Sequence, residues 1–470
     1  MVKEHTQIVH ESSAKNQYFA AFVVNLLIIG FGVTLGWSGP NLVVLKSNKS
    51  PLLTGKVTED EGSWIASLLC FGCLIGNVFF GYVTSKFGRK TPLTMMTVPI
   101  IISWLLILFA QNVIYLYVSR ILNGFVGGGL FVIVPAFLSE IAIDRIRGLL
   151  GATLAVSCNV GILLEFIFGY YFNFYAPPKF VIALTTVCGV LLYFLPESPS
   201  FLIEQNKSSE AEESIRFYQN LKGKDNNYEL LQTEMNRLKN TVGVDDMKKS
   251  NEHLMKWSDL WSGPGKKAMM IGIFFVLLNQ CCGCVAMTYY TTDIFRESGS
   301  SLDENICTII VGVIQLIGAY IATFLVDRAG RKFLYVVSTV GITLGLTTFG
   351  IFMMLKTNGY DVEIFNWIPI ASFSFVIFIA SWAVLSLPFL VIAEIMPEKL
   401  KNFGPSFCMI ILWSLNFVIV KYMPLLKATL GMHGMMFLFA GYSIVSAVLI
   451  VLFMPETKGR SYDEIMKLLE

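Results

Sequence analysis

The side chains of this sequence that could do chemistry are carboxylates and guanidinium groups at the ends of apolar stretches. Their motifs recur roughly 250 residues later, which indicates two related halves. The recurring pairs are Gly88-Arg89-Lys90 with Gly330-Arg331-Lys332, Ser139-Glu140-Ile141 with Ala393-Glu394-Ile395, and Pro196-Glu197-Ser198 with Pro455-Glu456-Thr457. Opposite charges at helix ends can pair and separate, which is the chemistry of a conformational switch. No arrangement of His, Ser or Cys suited to covalent catalysis occurs, so we do not expect an enzyme.

The elements that carry these motifs are long and apolar. Of the 470 residues, 54% are hydrophobic and 14% are charged, and the mean hydropathy is +0.63, which is outside the range of soluble domains. A membrane span needs about 20 apolar residues. Twelve spans are predicted, at 19–41, 62–83, 92–110, 113–137, 149–171, 178–195, 266–290, 305–326, 332–355, 366–395, 404–426 and 432–454. The sequence therefore predicts an all-α membrane protein with two six-helix pseudo-repeats.

Basic residues are distributed unevenly about these spans. Of the 35 lysines and arginines, 26 lie on the side of the N-terminus, 7 lie in loops on the other side, and Arg120 and Lys421 lie within spans. The positive-inside rule then places both termini in the cytoplasm. The predicted domains are a tail over 1–18, a first half over 19–195, a linker over 196–265, a second half over 266–454 and a tail over 455–470.

The linker is the one long polar stretch, rich in Glu, Lys, Asn and Ser. Two short amphipathic helices are predicted in it, at 207–222 and 226–241, as a small cytoplasmic helical bundle. The net charge of +2 is spread over the inner loops, so nucleic acid is not an expected partner. We expect a monomer in a lipid bilayer with one small-molecule substrate.

Two smaller features bear on modification and metals. Cys281, Cys282 and Cys284 cluster on one predicted span without a nearby His, which favours packing over a metal or redox site. No metal and no cofactor are therefore expected. Asn48-Lys49-Ser50 lies in the first outer loop and matches a glycosylation acceptor, although Pro51 weakens that signal.

In its motifs the chain resembles a sugar porter of the major facilitator superfamily, from about residue 20 to 462. The motifs are Gly81-x6-Gly88-Arg89-Lys90, Arg120, Pro135 through Glu140 with Arg147-Gly148, Asp327 through Lys332, and Pro455 through Gly459 paired with Pro196 through Pro199. Glu61 through Ile65 and Gly36-Trp37-Ser38 look most like insect facilitated trehalose and hexose transporters. The resemblance implies the major facilitator fold and a facilitative carrier of hexose or trehalose in the cell membrane, working by alternating access.

The resemblance and the charges together predict a gate at the cytoplasmic helix ends. We expect the charged groups to converge there, to hold that side shut when the protein faces outward, and to separate when it opens inward. The predicted network comprises Arg89, Glu140, Arg147, Glu197, Asp327, Arg331, Glu394 and Glu456. The alternative is that these charges only enforce topology, but topology needs positive charge and not the carboxylates.

A sugar bound inside a membrane protein needs amides for its hydroxyl groups and an aromatic face for its ring. The resemblance places such side chains on spans 5, 7, 8, 10 and 11. The candidate substrate-binding residues are Asn159, Asn279, Gln280, Tyr289, Tyr290, Gln315, Phe389, Trp413 and Asn416. For each amide singly, a hydrogen bond that joins two helices is the alternative. Their joint occurrence on the expected spans favours a site, with the two tyrosines closing its outer side.

The chain departs from the family's pattern at several positions. These are Ser85, Ser200 and Lys401 in the inner motifs, and Ala155, Val285, Asn279 and Phe389 in the central site. We therefore expect a thinner inner network in the first half and a less polar pocket. Asn159 lies one turn beyond Ala155 and could return one amide. Either the substrate is held by fewer hydrogen bonds or it is not the usual hexose.

Glu165 is the one carboxylate well inside a predicted span, about 24 Å along span 5 from Leu149. It is either functional, or it reaches water or pairs with Arg120 or Lys421. Proton-coupled relatives in the family carry an aspartate in span 1, whereas residues 19–45 here contain no acid, so passive transport is predicted. One alternative is a proton-coupled sugar or polyol carrier that uses Glu165. Another is a non-transporting sugar sensor, which the short C-terminal tail disfavours.

Overall fold

The computed structural model describes residues 14–221, 231–240, 263–397, 400, 403–454, 456, 458 and 464. These residues form α-helices and one 3₁₀ turn, and no β-strand occurs among them. The first half contains α1 (Lys15–Gly36), α2 (Ser38–Lys46), α3 (Glu59–Phe87), α4 (Lys90–Leu108), α5 (Val113–Ile141), α6 (Asp144–Tyr171) and α7 (Ala176–Tyr193). The linker contains α8 (Pro199–Glu204), α9 (Ser208–Tyr218) and α10 (231–240). The second half contains α11 (Gly263–Cys281), α12 (Cys284–Tyr289), α13 (Thr291–Ser298), α14 (Glu304–Ala329), α15 (Arg331–Thr357), α16 (Ile368–Trp382), α17 (Leu387–Ile395) and α18 (Phe403–Phe453).

Within this part of the chain, eleven helical segments are long and apolar enough to cross a membrane. The last of them has 50 residues, which at 1.5 Å per residue is enough for two crossings. Gly431, with φ 71° and ψ 169°, interrupts it. Gly404 packs on Met396 before this break, and Lys332 Nζ donates to Val451 O after it, so the chain crosses and returns. The predicted arrangement of twelve spans in two sets of six is confirmed.

The two faces of the bundle are defined by their residues. The linker face carries α8, α9, Arg89 and Arg331, and the opposite face carries Lys46, Asp60 and Lys421. Two helices that begin at the opposite face have strong N-caps: Thr58 and Glu61 form a capping box at the start of α3, and Asn112 caps α5. These caps satisfy backbone N–H groups where the chain re-enters the apolar region.

Each half is held together by close helix crossings at glycines. Gly72 and Gly76 of α3 lie against the backbone of Gly124 and Phe125 of α5, where a Cβ atom would clash with main-chain atoms. Gly32 of α1 crosses α6 in the same way, and in the second half Gly318 of α14 lies against Phe378 of α16. Small residues let helices approach closely in a membrane, where dispersion and hydrogen bonds hold them together. The halves are therefore tightly packed units.

Two spans of the second half are broken. Gly283 adopts φ +76° between α11 and α12, and the ring of Phe439 occupies the place where a Cβ would lie, so only glycine fits. Residues 383–386 separate α16 from α17. A break inside a membrane leaves backbone carbonyls that must find other partners, so broken spans mark places where side chains take over that role.

The linker helices form a second, small core. Its buried residues are Leu202, Ile203, Ala211, Ile215, Leu231 and Met235. Tyr218 Oη donates to Pro196 O at 2.7 Å, and burial raises the pKa of this phenol well above its usual value. The helices predicted at 207–222 and 226–241 correspond to α9 and α10, which are shorter, and 222–230 and 241 lie outside the described residues.

Candidate functional site

The amides at the end of α11 serve two different purposes. Asn279 Nδ2 donates to Val384 O at 2.6 Å, in the break between α16 and α17. Gln280 Nε2 donates to Asn279 Oδ1 at 2.7 Å, and both residues are buried. Asn279 therefore satisfies a carbonyl that the broken helix leaves free, so its hydrogen bond joins two spans. The hydrogen bond from Gln280 to Asn279 in turn orients the amide group of Gln280.

Several buried polar atoms of the second half, among them Tyr335 Oη and Ser374 Oγ, have no hydrogen-bond partner within the described part of the structure. Four others are Gln315 Oε1 on α14, Trp382 Nε1 on α16, and Trp413 Nε1 and Asn416 Oδ1 on α18. An unsatisfied buried group costs about 1–3 kcal/mol. Groups of this kind in a membrane protein indicate where a ligand or water supplies the missing partner.

Three of these four residues are predicted substrate residues, and Trp382 is not. Its ring packs on Phe378 at a centroid distance of 5.3 Å, and its indole N–H has no hydrogen-bond partner in the described structure. Trp382 is not among the predicted residues, because the resemblance assigns the aromatic position of this span to Phe389. The available signal was a tryptophan inside an apolar run, since its N–H needs a partner when it is buried.

Aromatic side chains of the second half contact the first half. The ring of Trp413 lies 6.3 Å from that of Phe131 on α5. Tyr289 Oη lies 3.7 Å from Cys70 Sγ on α3, and Tyr290 Oη donates to Val420 O at 3.0 Å. Tyr289 thus bridges the halves, whereas Tyr290 joins two spans of the second half.

The remaining candidates for the central site have fewer contacts with other helices in the described structure. Asn159 Nδ2 donates to Ala155 O at 2.8 Å, within its own helix, so that donor is already used. Asn159, Ala155 and Val285 are all only partly buried. The side chain of Phe389 lies outside the described residues.

At the linker face, a glutamate caps a helix in each half. The carboxylate of Glu197 accepts hydrogen bonds from the backbone N–H groups of Arg89, Lys90 and Ser198, at 2.9 to 3.1 Å. That of Glu456 accepts from the N–H groups of Arg331, Lys332 and Lys458, at 3.0 to 3.1 Å. A carboxylate at a helix N-terminus satisfies free donors and opposes the positive end of the helix dipole. The motif that repeats in the sequence thus forms the same kind of helix cap in both halves.

The glycines of these motifs make room for the caps. Gly88 has φ +84°, and a Cβ there would lie 2.5 Å from Glu197 Oε2. Gly330 has φ +89°, and a Cβ there would lie 2.9 Å from Glu456 Oε2. A side chain at either position would meet both an unfavourable backbone conformation and the carboxylate.

The observed linker-face bonds stay within one half. Arg89 Nη2 pairs with Glu140 Oε1 at 2.7 Å, and both belong to the first half. Arg147 Nη2 donates to Ala142 O at 3.5 Å and takes part in other interactions. The side chains of Asp327 and Glu394 lie outside the described residues, so the expected thinner first-half network remains a prediction.

The opposite face shows a different pattern, because two of its ion pairs join the halves. Lys46 Nζ lies 3.2 Å from Asp293 Oδ2. Lys421 Nζ lies 2.6 Å from Asp60 Oδ1 and 2.8 Å from Ser63 Oγ. The protein is therefore closed at this face, and the Arg89–Glu140 pair is formed in that closed state.

A buried polar cluster lies on the first-half side. Arg120 donates to Ile65 O at 3.1 Å, Thr34 O at 2.8 Å and Ser38 Oγ at 2.7 Å. Glu165 is fully buried, and its Oε1 accepts from Asn41 Nδ2 at 2.8 Å. No ion pair joins Glu165 to Arg120 or Lys421 in the described structure. Of the two readings of Glu165, the one in which it reaches water or pairs with one of those bases is not what the structure shows, because its observed partner is an amide inside the protein.

Cysteines and surface loops complete the survey. All nine cysteines are free thiols, and Cys282 and Cys284 are buried. Among the described residues no group of side chains is suited to hold a metal ion. Asn48 is exposed on a loop of the opposite face, and its glycosylation remains a prediction.

Two packed six-helix halves, broken spans beside buried polar groups, and a charge motif repeated on one face define a membrane transporter of the major facilitator type. The family model for sugar (and other) transporters matches residues 20–469. This chain therefore belongs to the sugar transporter family. Members of this family are transporters, which confirms the expectation that the protein is not an enzyme.

Insect transporters are similar over nearly the whole chain. Facilitated trehalose transporter Tret1 of Culex quinquefasciatus is 31% identical over 450 residues, which cover 96% of this chain and 85% of that protein. Tret1 of Bombyx mori is 31% identical over 453 residues, with coverages of 96% and 86%. For Tret1 of Anopheles gambiae the identity is also 31%, and the match covers 96% of this chain but 55% of that longer relative.

Solved bacterial structures share the fold. The inward open conformation of the xylose transporter XylE from E. coli has a TM-score of 0.76 at 19% identity, covering 97% of this chain and all of that one. The proton:xylose symporter XylE bound to 6-bromo-6-deoxy-D-glucose has a TM-score of 0.72 at 20% identity, covering 96% of this chain and 99% of that one. These matches confirm the predicted fold class.

Proposed function

We propose that this protein carries a sugar, hexose or trehalose, passively across the cell membrane by alternating access. In this proposal the linker face and both termini face the cytoplasm, as the distribution of lysines and arginines favours. Support comes from the facilitated trehalose transporters to which the chain is similar. The lack of any acid over 19–45 agrees with passive transport. The site lies within one chain, so the working unit is a monomer.

The observation that carries the proposal is the set of unsatisfied polar atoms on α14, α16 and α18. Sugar hydroxyl groups both donate and accept, so one sugar can serve the acceptors Gln315 and Asn416 and the donors Trp382 and Trp413. Each such bond contributes about 0.5–1.5 kcal/mol net. In this arrangement Gln280 is a further ligand, while Asn279 holds the helix break. Sugar hydroxyls would thus remove the penalty that these buried atoms carry.

The gates complete the cycle. Tyr289 and Tyr290 would cover the site from the opposite face. At the linker face, Glu197 and Glu456 would keep each half rigid as it moves, because they bind backbone rather than mobile side chains. Arg147, Asp327 and Glu394 remain the candidates for bonds that join the halves when the linker face closes.

Uptake by proteoliposomes tests this function. Radiolabelled trehalose and glucose should equilibrate across the vesicle membrane without accumulating. Trp413→Ala and Gln315→Ala should each reduce uptake at least tenfold, since each removes a ligand from a desolvated site. The matched control is Trp367→Ala, an exposed tryptophan of the same half. Uptake that survives both site variants would place the substrate elsewhere.

The same experiment discriminates the second candidate, a proton-coupled carrier. The observation that favours it is Glu165, fully buried with Oε2 unpartnered in the described structure. A coupled carrier would concentrate sugar, lose that ability with a protonophore, and lose it again in Glu165→Gln. For the passive carrier we expect a collapsed pH gradient to change uptake only slightly.

A further inference from the structure

The opposite face is closed by two ion pairs that run in opposite directions between the halves. Lys46, at the end of α2 in the first half, reaches Asp293 of α13 in the second. Lys421, on α18 in the second half, reaches Asp60 of α3 in the first. Each half thus supplies one lysine and one aspartate.

Lys421 depends entirely on the other half for its observed interactions. Its ammonium group bonds Asp60 and Ser63 and lies 4.2 Å from the ring centroid of Trp64. Its side chain is only 10% exposed. Lys46 differs, because it also bonds Glu59 of its own half at 2.7 Å. Separation of the halves would leave Lys46 with a partner and Lys421 with none of these three.

Aromatic packing lies beside the Lys421 contact. Phe417, one turn before Lys421 on α18, packs on Trp64 at 6.1 Å and on Phe71 at 6.0 Å between ring centroids. A lysine held over an aromatic face in such a place gains from both the ring and the carboxylate. Asp60 is 78% exposed, however, so solvent and salt reach its side of the pair.

We propose that Lys421, assisted by Lys46, is a gating residue that latches the opposite face and sets how often that face opens. This inference rests on the proposed alternating-access function. Weakening the latch favours the state that is open at the opposite face. A sugar presented at that face should then bind with a lower apparent KM, while the step that closes that face slows.

Accessibility of a cysteine at the joint tests the latch without any sugar. Thr292 is fully buried where α13 meets Gly39 of α2, so Thr292→Cys reports on separation of the halves. In that background, Lys421→Gln should increase the rate of labelling by a membrane-impermeant maleimide, added at the opposite face, roughly three- to tenfold. The matched control is Lys427→Gln, since Lys427 lies on the same helix but pairs with Glu297 of its own half. It should leave the rate unchanged.

Further variants show that the charge pair itself is responsible. Asp60→Asn should increase labelling as Lys421→Gln does, and the double variant should add little, because both remove one interaction. Lys421→Arg should stay close to the parent. Raised salt at the opposite face should speed labelling of the parent but not of Lys421→Gln.

Two results would overturn the latch: unchanged labelling in Lys421→Gln and Asp60→Asn, or an equal increase in Lys427→Gln. Folded, membrane-inserted protein is verified by thermal unfolding of each variant before labelling. The labelling result also separates the two proposals. A shift without sugar uptake would reject the proposed substrate and keep the latch, whereas sugar uptake without a shift would do the reverse.

Discussion

The linker face and the opposite face use the same residue types in opposite ways. At the linker face, the carboxylates of Glu197 and Glu456 bind backbone N–H groups of their own half. At the opposite face, Asp60 and Asp293 bind lysines of the other half. A bond to the backbone persists when the halves move, whereas a bond between halves must break. Whether the bonding partner lies in the same half or in the other half therefore distinguishes two kinds of contact. The caps formed by Glu197 and Glu456 are a rigid joint, which stays intact, and the ion pairs of Asp60 and Asp293 are a moving joint, which must break.

The largest expected effect comes from breaking the rigid joint. Gly88→Ala would place a Cβ 2.5 Å from Glu197 Oε2 on a backbone with φ +84°. The left-handed conformation alone costs roughly 1–2 kcal/mol, and the displaced carboxylate adds the loss of its backbone bonds. We expect transport to fall more than tenfold and the apparent Tm of the detergent-solubilised protein to drop by several degrees.

Two glycines separate the causes. Gly359 also has a positive φ, +82°, but nothing lies within 4 Å of its added Cβ, so Gly359→Ala reports backbone strain alone. Gly81 lies in α3 with open space around it, and Gly81→Ala should be tolerated. If Gly88→Ala behaved like Gly359→Ala, the cap would not be what demands glycine there.

Sequence reasoning located the linker-face groups but not their bonds. The repeated motifs identified Gly88, Glu197 and their second-half counterparts, and charge chemistry suggested side-chain ion pairs. The structure shows one such pair, between Arg89 and Glu140, whereas the carboxylates of Glu197 and Glu456 bind backbone N–H groups instead. Backbone donors are the same at every residue, so a sequence contains no signal for which of them a distant carboxylate will bind.

The opposite face was harder to predict for a related reason. The sequence shows Lys421 as a lysine inside a span, and it shows the acids Glu59, Asp60 and Glu61, which form the first turn of α3. Their pairing joins positions some 360 residues apart in the chain. Asn279 shows the same limit. Its amide is a candidate ligand, but it donates to the carbonyl oxygen of Val384, which is free to accept only because span 10 is broken there. Such contacts follow from tertiary packing, which local patterns do not encode.

A moderate effect should test the symmetry of the rigid joint. Glu197→Gln and Glu456→Gln each weaken a cap that receives three backbone N–H groups, so the two should lower the free energy of unfolding by similar amounts, about 1–3 kcal/mol. Glu210→Gln is the control, because it removes an exposed pair with Lys207 worth at most about 1 kcal/mol. Thermal unfolding in detergent measures all three. If only one of the two glutamate variants lost stability, the repeated motif would not contribute equally to the stability of the two halves.

The smallest expected effect concerns Lys46 and sharpens the distinction within the moving joint. Lys46 and Asp293 are 8% and 6% exposed, so burial alone would make theirs the stronger pair. Lys46 keeps Glu59 when the halves separate, however, and Asp293 keeps Arg296, whose Nη2 lies 3.2 Å from Oδ1. Because neither charge is left alone in the open state, Lys46→Gln should raise labelling of Thr292→Cys only about twofold, below the Lys421→Gln effect. A rise larger than that of Lys421→Gln would show that desolvation of the pair, and not the loss of every partner, decides which lysine holds the face shut.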